Sequence, residues 1–368
     1  MSTTFSHRKK NILTFFPTPK IFTMPAVGID ISDSSVKFLR LQDGENGKEI
    51  ELYGEKEIPA NVVLNGEIKN PDALIQVLSM IQKENDIHFI RASLPEEEAY
   101  IFKTLVPKGL KDGEVKNLID LKLEENVPLA SGEAVFDYDI PLKEDSSIQQ
   151  REVSVTVYPN KTIEQYTEVF RKAHLTPLSF EIEAQAIARA VVQKGDDGTY
   201  MIVDFGKMRT GIAVVSNGLL SFASTLDVVG DTLTEAVAEH FSVSILEAEK
   251  IKNESDFIQN KDNSELFETL MVTISRLKDE IERHFRYWNS RTDKKGKKVP
   301  QIEKIILCGG SSNVVGLREY LSGSLEARAE RANVWKNVFS FNETIPNIVY
   351  EQSLGYATAV GLALRSGF

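Results

Sequence analysis

One pattern occurs twice in this chain and limits what it can fold into. Val27-Gly28-Ile29-Asp30 and Met201-Ile202-Val203-Asp204 are short apolar runs that each close on an aspartate. Each is followed by a turn, at residues 32–35 and 206–211, and then by a second apolar run. Short apolar runs bounded by turn residues read as buried strands. A strand–Asp–turn–strand unit used twice implies a duplicated α/β architecture. With 368 residues, the chain is long enough for two such halves. Its 42% apolar and 26% charged residues can supply each half with a core and a surface.

The rest of the chain fills in around these units. Strands are expected at 26–31, 36–41 and 49–58. Asn70-Pro71 starts a helix, with Asn as cap and Pro at the first helical position, and Leu74, Val77, Leu78 and Ile81 form its buried face. A strand follows at 89–94. The next stretch has a different rhythm: strand 101–106, helix 113–126 closed by Pro128, strands 135–140 and 153–158, and helix 162–174. That set suits a small inserted unit. The second half opens with strand 200–205 and a hairpin of 212–215 and 219–222 about Asn217-Gly218, a dipeptide that tolerates positive φ at both positions. Thr232 with Glu235 and Ser244 with Glu247 are capping-box pairs that would open two helices. A long helix at 264–288 carries Phe267, Leu270, Ile274, Leu277, Ile281, Phe285 and Trp288 on one face, which reads as a core face and not a coiled coil. Residues 294–298 form a basic loop. Strand 304–308 runs into Gly309-Gly310 and a helix. The last helix, 353–365, carries Gly355, Ala357, Ala359, Gly361 and Ala363, a face that permits close backbone packing.

Composition removes several function classes. A single cysteine, Cys308, excludes an internal disulfide and fits a reducing compartment. A net charge of −11 argues against broad nucleic-acid binding. No apolar run approaches the roughly 20 residues that cross a bilayer. Residues 1–23 hold Arg8, Lys9, Lys10 and Lys20 and no acid. They read as a basic, disordered tail, with Met24 a possible alternative start. The sharper reading is a weak tether to anionic lipid, up to ~1 kcal/mol per basic group.

Several residues suit phosphate chemistry. Turns with successive inward N–H groups bind anions. Ser32, Ser34 and Ser35 add hydroxyl donors and Lys37 a cation, while Gly206, Thr210 and Gly211 suit the second turn. Asp30 and Asp204, facing each other across a cleft, would hold Mg²⁺ through its waters, because that ion dehydrates reluctantly. Gly309-Gly310-Ser311, between strand and helix, lets the backbone approach a flat ligand such as adenosine.

Taken in order, Gly28-Ile29-Asp30 through Lys37, Val203-Asp204-Phe205-Gly206, and Ile306-Leu307-Cys308-Gly309-Gly310-Ser311-Ser312-Asn313 through Leu317 resemble three motifs of the actin-like ATPases: first phosphate, second phosphate and adenosine. Within that superfamily the chain is similar to the PilM family of type IV pilus assembly proteins. Residues 180–188 resemble its connector helix, and the run from Gly230 resembles its second-half segment. Glu280 to Arg283 and the aromatics after them resemble its adenosine-side helix, and residues 359–365 its C-terminal end. The resemblance implies an α/β, actin-like fold (ribonuclease H-like, duplicated) with an inserted small α+β subdomain. The expected organisation is a first half at 24–100, the insertion at 101–175, a second half at 200–340, and returns to the first half at 176–199 and 341–368.

Carried over by position, Asp30, Ser32, Ser34, Ser35 and Lys37 would hold phosphates or Mg²⁺ from one side. Asp204, Gly206 and Thr210 would do so from the other. Gly230, Glu280, Arg283, Gly309, Gly310, Ser311 and Asn313 would frame the nucleotide, and Glu183 would polarise an attacking water. The chain departs from the family pattern at Ser32, where Gly is usual, at Glu181, where Asp is usual, and at the bulkier Lys207-Met208-Arg209. These changes bear on hydrolysis more than on binding.

The resemblance implies ATP as a structural ligand or slow switch. It also implies a cytoplasmic adaptor at the inner-membrane assembly platform of a type IV pilus or a related type II secretion system. Such an adaptor binds the N-terminal tail of a PilN-like bitopic protein on the inserted subdomain and its seam with the first half. Other platform proteins and motor ATPases are further expected partners. Two alternatives share the superfold. An FtsA-like division scaffold would carry an amphipathic C-terminal anchor, which is not expected here because the chain stops at Phe368. A small-molecule kinase would need a general base, and the five histidines form no local cluster.

Overall fold

The computed structural model describes residues 26–365, except 45–46, 145–148, 256–257, 259–263, 293–295, 297, 326 and 343. The basic tail, Met24 and most of the 294–298 loop lie outside the described residues.

The first half begins with β1 (Val27–Ile31), β2 (Ser35–Gly44), β3 (Gly47–Glu57), the short pair β4 (Val63–Leu64) and β5 (Glu67–Ile68), α1 (Pro71–Asn85) and β6 (Phe89–Leu94). Asn70 caps α1 by accepting from the Ala73 N–H at 3.1 Å, and Leu74, Val77, Leu78 and Ile81 are buried as the spacing predicts. The inserted stretch supplies β7 (Tyr100–Pro107), α2 (Asp112–Asp120), α3 (Leu123–Asn126), β8 (Ala134–Asp139) and β9 (Gln150–Pro159). The single helix expected at 113–126 is broken at Leu121-Lys122, where Lys122 turns back to donate to Thr104 Oγ1 and Leu105 O. The chain returns through α4 (Asn160–Lys172), β10 (Thr176–Ile182) and α5 (Glu183–Val191). Residues 180–182 end a strand, so the connector helix starts only at Glu183.

The second half holds β11 (Thr199–Phe205), β12 (Thr210–Ser216), β13 (Leu219–Leu226), α6 (Gly230–Phe241), α7 (Ile245–Glu254), α8 (Ser264–Ser290), β14 (Lys304–Cys308), α9 (Leu317–Ser324) and β15 (Arg328–Arg331), and the chain closes with α10 (Tyr350–Ser353) and α11 (Ala357–Leu364). Asn217 and Gly218 both have positive φ, as the hairpin requires. Ser244 caps α7 through the Glu247 N–H. Thr232 caps nothing. α6 opens two residues earlier, at Gly230, because Gly230 N and Asp231 N donate to Gly206 O and Lys207 O and so satisfy the free helix-end donors. On α8, Leu270, Ile274, Leu277, Ile281 and Trp288 are buried, whereas Phe267 is exposed and Leu266 takes its place in the core.

The two main sheets have one topology. The first runs β10-β6-β1-β2-β3 and the second β15-β14-β11-β12-β13. In each, the three strands earliest in sequence (β1–β3, β11–β13) pair antiparallel, and the other two (β6 and β10, β14 and β15) extend the sheet in parallel from the first of them. β11 is buried on both faces. Tyr200 and Ile202 join the core shared with the first half, while Met201, Val203 and Phe205 join the core under α6 and α8. That double burial explains a near-continuous apolar run in place of alternation.

A third, three-stranded sheet, β7-β9-β8, has its own core of Val106, Val115, Ile119, Leu123 and three valines of β9. By contrast, Tyr166, Val169 and Phe170 of α4 join the core that the first half shares with strands of the second. We propose on that ground that the inserted unit ends at Pro159 and not at 175. The insertion also touches the second half: Asn217 exchanges hydrogen bonds with the Lys143 backbone at 2.9 and 2.8 Å.

Helices α5 and α11 pack at contact distance between the halves. A Cβ on Gly361 would lie 1.7 Å from Ala186 O, and one on Gly28 would lie 2.3 Å from Ala359 O. Gly361→Ala is expected to force these backbones apart and destabilise the protein by about 1–3 kcal/mol, read as a lower urea midpoint with unchanged slope.

Candidate functional site

The matched topology sets the two Asp-turn units against one cleft of about 540 Å³. Asp30 and Asp204 are each the penultimate residue of their strand, β1 and β11, and both line it. The first turn is held by Ser32. Its hydroxyl donates to Ser35 O at 3.0 Å and accepts the N–H groups of Ser35 and Ser34 at 3.1 and 3.4 Å. At the position where glycine was expected, Ser32 supplies a side chain that shapes the turn from within. Ser34 and Lys37 also line the cleft. Ser35 is buried behind it, donating to Glu55 at 2.7 Å and accepting from Lys37 at 3.1 Å, so it orients the cation.

The second turn is pinned through one carbonyl. Gly206 O accepts from Gly230 N and from Ser311 Oγ, both at 3.1 Å. This ties the turn, the start of α6 and the Gly309-Gly310 segment together. A Cβ on Gly230 would meet Ser311 Oγ at 1.8 Å, and Gly309, at φ 82°, would set a Cβ 2.5 Å from Asp204 Oδ1. Gly206, Gly309, Gly310, Ser311 and Asn313 line the cleft, and space is open beside Gly310. Thr210 does not; it is fully buried and donates to Val228 O. Gly230 also stays behind the wall. Glu280 and Arg283 are not among the lining residues. They pair with each other on α8, and the wall expected there comes from Glu249 and Asn253 of α7.

The cleft floor is acidic. Asp30, Glu96, Glu183 and Asp204 all line it. Burial raises the Asp30 carboxyl, against the opposing pull of Lys37, the Ser93 hydroxyl at 2.8 Å and Arg209. Burial, and then the charge of Asp30, lifts Asp204 to about 6. Burial, with Glu97 and Asp204 nearby, lifts Glu96 to about 8. Glu183 is pushed well above the ordinary carboxylate range by burial, with Arg209 opposing. Glu96 Oε2 is buried without a hydrogen-bond partner. A polar floor in which carboxylates are desolvated but undercompensated favours an added cation. Among the described residues no group of three or more His, Cys, Asp or Glu side chains converges on a single metal position. Asp30 and Asp204 are hard oxygen donors of the kind that would suit an ion keeping water and phosphate ligands, as Mg²⁺ does.

Glu96 escaped the sequence reading, and Arg209 entered it only as a bulky departure in the second turn. Arg209 crosses from the second turn to the first half, reaching Glu97 and Glu183 at 3.2 Å and Asp33 at 3.7 Å. Asp33 in turn accepts from Asn65 N and Gly66 N in the β4–β5 hairpin. Glu96 sits in the acidic run after β6, a run that carries no motif signal of its own.

A second groove, of about 440 Å³, runs between the inserted sheet and the first half. Val135 and Phe136 of β8 face Phe180 and Ile182 of β10 across it, and Arg189 and Glu181 pair at one end. Both β8 and β10 are outer strands of their sheets.

Two matched halves around a shared cleft are the actin-like fold. The sequence profile of the family described as Type IV pilus assembly protein PilM matches residues 28–367, and the chain belongs to this family. A solved PilM-PilN type IV pilus biogenesis complex contains a chain 21% identical, covering 93% of this chain and 98% of its own length, with a TM-score of 0.73. The ethanolamine utilization protein EutJ from Carboxydothermus hydrogenoformans is 16% identical over 95% of this chain and 90% of its own, with a TM-score of 0.55. MreB 5 of Spiroplasma citri bound to AMPPNP is 11% identical over 92% and 95%, with a TM-score of 0.53.

Removing the buried cation should expose its acids. Arg209→Gln is expected to cost about 3–5 kcal/mol of stability, largely recovered in the double variant with Glu183→Gln, as measured by urea unfolding at pH 7. Glu96 adds a pH dependence. Its carboxyl holds a proton up to about 8 when folded, against an ordinary 4.5. Between those values the folded state binds more protons, so stability falls as pH rises. Glu96→Gln should flatten that slope between pH 5 and 8 and raise stability at the upper end.

Proposed function

We propose that this protein is a nucleotide-responsive adaptor of a type IV pilus assembly platform. It binds Mg²⁺–ATP in the cleft and an extended peptide of a PilN-like membrane protein in the second groove. The observation that carries the reading is the pair of Asp-ended strands, β1 and β11, presenting their turns to one cleft beside the Gly309-Gly310 segment. Asp30 and Asp204 would hold Mg²⁺ through its waters, and the bound ion would offset phosphate charge. Ser32, Ser34, Lys37 and Gly206 lie where phosphates would sit, with Gly309 and Gly310 toward the nucleoside. Ser35, Thr210 and Gly230 act from behind by shaping the turns, and Ser311 braces the second turn from the cleft wall. Glu183 is paired with Arg209 at 3.2 Å. A base held in that pair is poorly disposed to polarise water, which supports a role for ATP as a structural ligand or slow switch.

The β10–α5 segment supports coupling between the two sites. Glu183 faces the cleft, whereas Glu181, Gln185 and Arg189 of the same segment line the groove. A shift of this segment on nucleotide binding would reshape the groove, in proportion to the preference of ATP for one arrangement. The outer strands β8 and β10 offer main-chain groups to an added extended chain, and the apolar walls offer pockets for its side chains. Among the described residues no helix is long and apolar enough to cross a membrane. The proposed location is the cytoplasmic face of the inner membrane, reached through the partner.

Two titrations test this reading. ATP with Mg²⁺ should bind saturably, and Asp30→Ala with Asp204→Ala should abolish it. A labelled peptide copying the cytoplasmic N-terminus of the candidate partner should bind with rising anisotropy. Val135→Arg, on the exposed groove wall, should weaken it at least about tenfold while leaving ATP binding intact. Equal ATP binding by the double variant, or peptide binding indifferent to Val135→Arg, would contradict the respective site.

A further inference from the structure

The end of the first half remote from the cleft carries a third groove, of about 670 Å³, that neither proposed site uses. β1 runs toward the cleft, where Asp30 stands, so Ala26 lies at the far end. The hairpin between β2 and β3 turns at that end too, and the Lys48 N–H donates to Val338 O in the groove wall at 3.3 Å. α5 also finishes here. Asn337 fixes its last turn against the groove: Nδ2 donates to Arg189 O at 2.8 Å and to Val192 O, and Oδ1 accepts from the Lys194 N–H at 2.9 Å. Two carbonyls that would make this helix end negative are thereby taken up.

The groove is chemically unlike the chain around it. The chain carries a net charge of −11, yet the groove is lined by two lysines, Lys194 and Lys336, and by no carboxylate among the described residues. Among those residues neither lysine has an ion-pair partner, whereas Lys37, Lys48, Lys56 and Lys304 are each paired with an acid. An aromatic row runs from the core to the surface beside them. Trp335 is buried, Phe339 stacks on it at 5.4 Å, and Phe341 meets Phe339 edge-on at 6.1 Å and is 49% exposed. Uncompensated ammonium groups beside a half-exposed ring suit a bilayer interface, where the cations meet lipid phosphates and the ring sits at headgroup depth.

We propose that this groove is a docking face for an anionic phospholipid surface, with Lys194 and Lys336 meeting headgroup phosphates and Phe341 entering the interface. Two further observations favour a membrane over a soluble anion. Residues 1–23 join the fold at this same end, through Ala26, and bring Arg8, Lys9, Lys10 and Lys20 with no acid. The groove also adjoins the one proposed for the partner's peptide: Arg189 of α5 lines that groove, and Lys194, just past the end of α5, lines this one. An anionic surface repels the acidic remainder of the chain, so the contact also orients it, with the peptide groove close to the bilayer that carries the partner. Only this adjacency rests on the adaptor reading; the lining charge, the aromatic row and the basic segment do not.

The test is co-sedimentation of the full chain, without any partner, with vesicles of phosphatidylethanolamine and phosphatidylglycerol, and with phosphatidylcholine vesicles as the neutral control. Binding to the anionic vesicles should exceed binding to the neutral ones by about tenfold or more and should weaken as salt rises. Lys194→Glu with Lys336→Glu should lower it at least about tenfold, and Phe341→Ser severalfold. Arg8→Gln, Lys9→Gln and Lys10→Gln together should give a smaller loss. None of these side chains belongs to a core, so the groove variants should keep the wild-type urea midpoint. Equal binding to both vesicles would overturn the proposal. Anionic binding untouched by the groove variants would overturn it too, and would leave residues 1–23 as the lipid contact. Full displacement by soluble glycerol 3-phosphate would assign the groove to a free anion, and self-association abolished by Phe341→Ser in place of vesicle binding would assign it to a second copy; either result overturns the proposal. The partner peptide is titrated separately on the same proteins, so its failure to bind would count against the adaptor reading and not against this one.

Discussion

The Gly206 carbonyl is the point on which the cleft between the halves depends. It accepts from Gly230 N and Ser311 Oγ at 3.1 Å each, and so fixes three segments far apart in sequence to one another. Without that junction the second turn, the first turn of α6 and the glycine pair would have no common position. The close approach needs glycine at 230, where a Cβ would meet Ser311 Oγ at 1.8 Å. It also explains why α6 starts where it does: its first N–H groups are taken up by the turn's carbonyls and not by a side-chain cap. The turn is thereby fixed as one wall of the cleft, and Asp204 lies on the strand that enters it.

Around that wall the two halves bring together more negative charge than they neutralise. Arg209 reaches Glu97, Glu183 and Asp33 from the opposite half, and Lys37 is shared with Glu55. These cations make the acidic floor tolerable, yet Glu96 and Asp204 are still raised, to about 8 and about 6. A site in that state gains from an added cation, because the ion favours the deprotonated forms that burial disfavours. The same charge arrangement joins the halves across the cleft.

Much of the fold was legible in the sequence because it is local. The duplicated Asp-ended strands, the Asn70-Pro71 helix start and the Asn217-Gly218 hairpin each have a short-range cause, and each occurs as expected; the last helix, expected at 353–365, spans only Ala357–Leu364, with Gly355 in the turn before it. What was not legible depends on tertiary context. Thr232 looks like a cap, but a neighbouring turn supplies the partners. The helix expected at 113–126 breaks where Lys122 finds acceptors on β7. α4 follows the inserted sheet in sequence, yet its apolar face joins the first-half core. In the site, motif positions located Asp30, Ser32, Asp204 and Gly309, but they could not distinguish residues that line the cleft from those, such as Ser35 and Thr210, that brace it. Arg209 appeared only as a bulky departure from pattern; its role depends on carboxylates contributed by three other segments.

The most direct test is hydrogen–deuterium exchange of the backbone amides with and without Mg²⁺–ATP. The account predicts added protection at residues 32–37, 206–211 and 309–313 together, with a smaller change along 180–189, where cleft and groove share a wall. No change at the two Asp-turn units, or protection confined to a region outside the cleft, would contradict it.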